Sequence, residues 1–206
     1  MRSLVSCLSV FLAPCAAVAC APAPAPVHDI DANRYYIDDK SSIVDPALKA
    51  RNEAAVKPVN DYLDTIARSA SDWQAGRDPE GARCALAWLQ AWAGHDAMLG
   101  KMTTRQSYYT RKWTLGGLAL SYARVRPAAS PGQREAIDAW LRRLADATIE
   151  HAEQHKGVRN NHYYWEGLAV TAVGGVTGDA RYLDWGRKVF RHAMGQIQPD
   201  GSLPLE

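Results

Sequence analysis

The chain has 206 residues, 47% of them hydrophobic and 22% charged, with a formal net charge of +2. That length supports one domain with a substantial core, and the composition excludes a disordered chain. The charge is too small to point to a nucleic-acid partner, so none is expected.

Residues 1–21 read as a signal peptide. Arg2 supplies a positive start, and "LVSCLSVFLAPCAAVAC" is a short apolar run ending in small residues, with Ala17-Val18-Ala19 fitting a signal-peptidase site. The run is too short, and too broken by Pro14, to span a membrane. Export to the periplasm or the medium is the expectation. Cys20 also resembles a degenerate lipoprotein acceptor, which leaves a lipid anchor as a second reading. Residues 22–30 are an extended, Pro-rich linker, and residues 31–206 form the domain. Cys7 and Cys15 leave with the signal and Cys20 sits at its edge. Cys84 is then expected to be a buried small hydrophobe without a partner, so neither a disulfide nor a zinc site is indicated.

An irregular polar segment, "DANRYYIDDKSSIVDP", precedes the first helix, which Asp45 caps and Pro46 opens. Val56, Val59, Leu63 and Ile66 recur at helical spacing, and Pro58 is expected to kink or split this helix. A second helix is predicted over residues 79–99, and a third from "TRQSYY" to just before Pro127. Ser130-Pro131 starts a fourth, with Ile137, Leu141, Leu144 and Ile149 in one stripe. A fifth runs over residues 161–176, and Asp179 caps a sixth that "PDGSLP" stops. No segment alternates as a strand does, so the fold class is all-α. "LGGLALSYARV" and "WEGLAVTAVGGV" share a Gly-Leu-Ala-aliphatic core, with Gly117 and Gly167 fifty residues apart. A period near fifty fits stacked helical hairpins, with these apolar helices inside and charged ones outside, as in a solenoid or an α/α toroid.

Two clusters carry chemistry. In "NNHYYWEG" one Asn suffices as a helix cap, so the second Asn and His162 are surplus to capping. Trp165, three residues after His162, is expected to project beside it. In "RQSYYTRKW", Tyr109, Lys112 and Trp113 share roughly one face, where rings stack on a sugar and Lys112 neutralises a carboxylate. The plainer reading of that segment is an amphipathic helix start with Trp113 in the core. His151 and His155 are four apart but lack a third ligand, and read as a solvated last helical turn rather than a metal site. No phosphate loop or nucleophile elbow is present.

"NNHYYW" before a Gly-rich apolar helix, with "DGSLPLE", "YYIDDKSS", "DPALKARN" and "RKWTLGGLAL", resembles the alginate lyases of polysaccharide lyase family 5. The resemblance spans nearly the whole chain after the linker. It implies an incomplete α/α toroid, secreted or periplasmic, that cleaves alginate (polymannuronate) or a related polyuronate by β-elimination, with no metal or other cofactor. The partner it implies is an anionic polysaccharide, the chain acting as a monomer. By match to the family, Asn161 neutralises the uronate carboxylate and His162 acts as base or helps neutralise charge. Trp165 stacks beside the reacting sugar. Lys40, in "DDKSS", resembles a lid residue, and Arg34 serves there too; apart from the resemblance, both read as ordinary loop cations. The family's catalytic Arg and Tyr follow its "LPLE" element, and no residue here takes those two roles by motif match. The expectation is a toroid missing its last helices, with an uncovered apolar face and impaired turnover. Alternatives are a non-catalytic polyuronate-binding toroid, a lyase with broad specificity for glucuronan or hyaluronan, and a hydrolase. The hydrolase would need a carboxylate opposite Glu166.

Overall fold

A computed structural model of the protein describes residues 20–155, 157 and 159–203. The predicted signal segment and the last three residues of "DGSLPLE" therefore lie outside the described residues, apart from the two positions at the signal's edge. Six α-helices form there: α1 (Pro46–Gln74), α2 (Gly81–Ala93), α3 (Arg105–Val125), α4 (Pro131–Gln154), α5 (Asn161–Thr177) and α6 (Ala180–Met194). The described residues contain no strand, only two isolated bridges, and no helix is long and apolar enough to cross a membrane.

The helix starts follow their capping chemistry. Asp45 accepts from the Leu48 amide with Pro46 in the first turn, and Ser130 forms a reciprocal capping box with Gln133 ahead of α4. Pro58 does not split α1, which runs unbroken through it. The predicted second helix is cut short instead. Beyond Ala93 the chain leaves the helix, and Asp96 and Met98 adopt left-handed backbone angles (φ 52° and 61°). Tertiary partners hold it there: the Ala97 carbonyl accepts from the Trp140 indole at 2.8 Å, and the Met98 amide donates to the Val27 carbonyl at 2.7 Å.

Val27 belongs to a strap that the sequence reads as a mere linker. Its carbonyls at Ala21 and Pro24 accept from the indoles of Trp88 and Trp92 on α2, at 2.7 and 3.1 Å. Cys20 at its end forms a disulfide with Cys84, 64 residues away. This overturns the expectation of an unpaired Cys84. Elimination by sequence failed because Cys20 stands at the edge of the predicted signal, whereas folding docks it against α2. The bond also occupies the sulfur that a lipid anchor would need.

Packing pairs α1 with α2 and α3, α3 with α5, and α5 with α4 and α6. Thus α1, α3 and α5 lie side by side, backed by α2 and α4. The core between them includes a stack of Tyr62 on Trp92, with ring centroids 3.6 Å apart, together with Leu86, Leu118, Trp140, Leu141 and Val170. The repeated glycines do equivalent work in this arrangement. A Cβ on Gly117 would come within 2.8 Å of Leu63 on α1, and one on Gly167 within 2.5 Å of Val189 on α6. Each glycine lets an inner helix approach its neighbour closely. Next to these glycines the same helices and α6 are open: Leu120, Leu168 and Phe190 are 52%, 47% and 63% exposed. They border an apolar groove of about 640 Å³ between α3, α5 and α6.

Candidate active site

The site forms where the start of α3 meets the start of α5. Asn160, not Asn161, caps α5: its side chain accepts from the His162 amide at 3.2 Å. Asn161 becomes the first helical residue, exposed, and its amide makes no hydrogen bond among the described residues. The preceding loop is tethered to the end of α6. Arg159 donates to the Tyr163 hydroxyl at 2.8 Å and covers its ring, and Gln196 donates to the Arg159 carbonyl at 3.3 Å.

His162 is clamped from α3. Tyr109 stacks flat on the imidazole, with centroids 3.7 Å apart and planes 9° from parallel, and Trp113 lies tilted at 6.2 Å. Burial, reinforced by the Lys112 charge, pushes the imidazole pKa down to about 4. The ring is therefore neutral in the neutral range. Trp113 is 37% exposed and Trp165 48%. The two border one groove with Gly116, Gly117 and Leu120, so Trp113 is not the core residue of the plainer reading. On the other side of His162 a polar cleft of about 510 Å³ is lined by Arg105, Tyr109, His155, Arg159 and Asn160. An imidazole and cations thus line a polar cleft, with an indole-lined groove on its other side and the free Asn161 amide next to the imidazole in the chain, groups that can bind and polarise an anionic sugar.

Three placements differ from the sequence reading. Lys112 does not face solvent: its side chain is 1% exposed and pairs with Glu166, itself 8% exposed, at 3.3 Å. Lys112 also donates to the His162 carbonyl at 2.6 Å, so it is committed to protein partners rather than free for a substrate carboxylate. His151 is not a solvated last-turn residue. It stacks between Tyr108 and His155 and lies 3.7 Å from Glu166. Glu166 is the acceptor that sequence reasoning missed. Fifty-four residues separate it from Lys112, and no local pattern links them.

Lys40 and Arg34 stay apart from this cluster. Lys40 sits on a hairpin-like loop, with Arg34 two residues before it; the loop is closed by the Tyr36–Val44 bridge and by Asp38, whose carboxylate accepts from the Ser42 and Ile43 amides at 2.9 and 2.7 Å. Those bonds hold the Asp38 carboxyl below its ordinary pKa. Arg34 is turned inward on the loop, donating to the Asp38 carbonyl and to the Ser41 hydroxyl. Lys40 is exposed and has no ion pair among the described residues.

Comparison with known proteins decides the family. The profile described as alginate lyase matches residues 29–206. This chain belongs to the alginate lyase family. It is 43% identical over 203 residues to a polysaccharide lyase of Stenotrophomonas maltophilia, covering 97% of this chain and 61% of that protein. With an alginate lyase of Cobetia marina it shares 32% over 185 residues, 84% of this chain and 49% of the relative. Alginate lyase A1-III, solved with a tetrasaccharide, superposes with a TM-score of 0.74 at 28% identity, covering 89% of this chain and 52% of that one. The structure of the enzyme from Sphingomonas species A1 superposes at 0.69. The chain therefore spans about half to three-fifths of the length of these relatives. The fold is accordingly the α/α toroid of these lyases, of which this chain holds part.

Proposed function

We propose that this chain carries the Asn–His portion of the active site of a polysaccharide lyase acting on alginate or a related polyuronate. The observation that carries the reading is the neutral His162 on a polar cleft, next to the unengaged Asn161 amide, in a member of the alginate lyase family. β-Elimination removes the C5 proton of a uronate and breaks the C4–O bond. It leaves a C4=C5 double bond on one product and a free hydroxyl on the other. The C5 proton is weakly acidic while the adjacent carboxylate is charged, so hydrogen bonds to that carboxylate lower the barrier. Asn161 supplies such a donor, and an uncharged imidazole either donates likewise or takes the proton. Trp165 and Trp113 offer ring faces to the sugars, Tyr109 steadies the imidazole by stacking on it, and the exposed Arg105 offers a cation. Lys40 and Arg34 would join as loop cations over bound substrate. Export, through cleavage after Ala19, fits a polymeric substrate outside the cytoplasm and would retain the sulfur that binds Cys84.

The assay is the ultraviolet absorbance of unsaturated uronate ends during incubation with polymannuronate. The absorbance is expected to rise during incubation, and His162→Ala is expected to slow that rise at least about 100-fold, the loss typical of removing a group that stabilises the transition state. A His162→Ala variant as fast as the unsubstituted protein would overturn the assignment. Products without unsaturated ends would mean a hydrolase, and retention on immobilised alginate without products would mean a binding toroid.

A further inference from the structure

The Lys112–Glu166 pair lies buried beneath the catalytic candidate, its side chains 1% and 8% exposed. Taking both charges out of water costs more than an apolar pair of the same volume would, so stability alone does not explain it. Its geometry points elsewhere. The Lys112 ammonium reaches past Glu166 to the His162 carbonyl at 2.6 Å. It also sits over the Tyr109 ring, 4.5 Å from the centroid, and that ring is stacked on the imidazole. Ammonium, phenol and imidazole form one cluster, anchored by the Glu166 carboxylate.

Within that cluster Nδ1 of His162 is buried and has no hydrogen-bond partner among the described residues. A buried N–H without an acceptor costs more than a bare lone pair, and a nearby ammonium favours the lone pair further. We propose that Lys112, anchored by Glu166, is a positioning residue that fixes His162 as the neutral imidazole with its proton on Nε2. The cleft then presents an N–H donor whose charge stays constant wherever a uronate is ionised. The groups acting on the imidazole agree. Arg105 and Lys112 from α3 disfavour its proton, only Glu166 from α5 favours it, and Tyr109 shields its face. His151 from α4 approaches Glu166 rather than the imidazole. Burial, the largest contributor, acts in the same direction as the cations.

The inference rests on the lyase reading only for what the donor does. It is tested without turnover, by histidine nitrogen NMR of the whole chain, with His162 assigned by the resonance lost in His162→Gln. In the unsubstituted protein the expected state is Nε2–H, persisting down to about pH 4. Lys112→Met alone strands Glu166 without its cation, so the double variant Lys112→Met/Glu166→Leu, which removes both charges, carries the comparison. Its His162 is expected to lose the single tautomer, with the Nδ1–H share rising at least about twofold, because the ammonium that favours the Nδ1 lone pair is gone while the opposing Glu166 charge is removed with it. Lys112→Arg is expected to keep Nε2–H. A proton on Nδ1 in the unsubstituted protein overturns the proposal, as does an unchanged tautomer in a double variant with native circular dichroism. The expected tautomers without unsaturated products would leave the inference standing and sink the lyase reading. Either overturning tautomer beside normal elimination would do the reverse.

Discussion

Asn160 and Asn161 are adjacent, identical in chemistry and opposite in role. The first spends its oxygen on the His162 amide, and the second keeps its amide exposed and unengaged. Asn160→Ala is therefore expected to cost about 1 kcal/mol of stability through the lost cap, visible as a lower melting temperature. Asn161→Ala is expected to leave melting within about 0.5 kcal/mol while weakening retention on immobilised polymannuronate severalfold. Equal melting losses in the two variants would show that the capping assignment is wrong. The sequence shows that one Asn is surplus to capping, and the resemblance points to Asn161. Only the backbone at the start of α5 establishes which side chain turns back to the helix.

Between elements, the strap and α2 are held by chemistry with no local signature. The Trp88 and Trp92 indoles bond to strap carbonyls, and the Cys20–Cys84 bond closes a separation of 64 residues. Cys84→Ser is expected to destabilise the protein by about 2–4 kcal/mol and to remove any response to reductant. In the unsubstituted protein, reductant alone should lower the melting temperature by a comparable amount. Melting that ignores reductant would show that the bond does not form in solution. The helices themselves are legible from their sequence because caps and periodicity act within a few residues: Asp45-Pro46 and Ser130-Pro131 start α1 and α4 as predicted. The end of α2 is not legible, because the contacts that pull residues 94–99 out of the helix come from Val27 and Trp140. The place of His151 is not legible for the same reason, since Tyr108 on another helix supplies the ring it stacks on.

Across the whole molecule, α3, α5 and α6 leave a continuous apolar surface open, with Leu120, Leu168 and Phe190 about half or more exposed. A surface of this kind is expected to bind a hydrophobic reporter dye. Phe190→Glu should cut that fluorescence at least about twofold while changing stability by no more than about 0.5 kcal/mol, because the side chain packs little. Unchanged fluorescence would place the dye elsewhere. The sequence already marks the two Gly-Leu-Ala helices as inner ones, and their glycines do meet neighbouring helices. The same helices expose Leu120 and Leu168 next to those glycines, a difference in cover that an all-round apolar pattern cannot encode.

By itself the sequence determines the helices, the repeat that stacks them and the residues of the overloaded α5 start, since each depends on neighbours within a turn or on a period along the chain. The tertiary structure alone decides that Cys20 meets Cys84, that Lys112 turns inward to Glu166, and that His162 lies neutral against Tyr109. Each of these joins residues about fifty or more positions apart. Burial, which sets the charge state of such groups, is a property of the packed molecule and not of any segment.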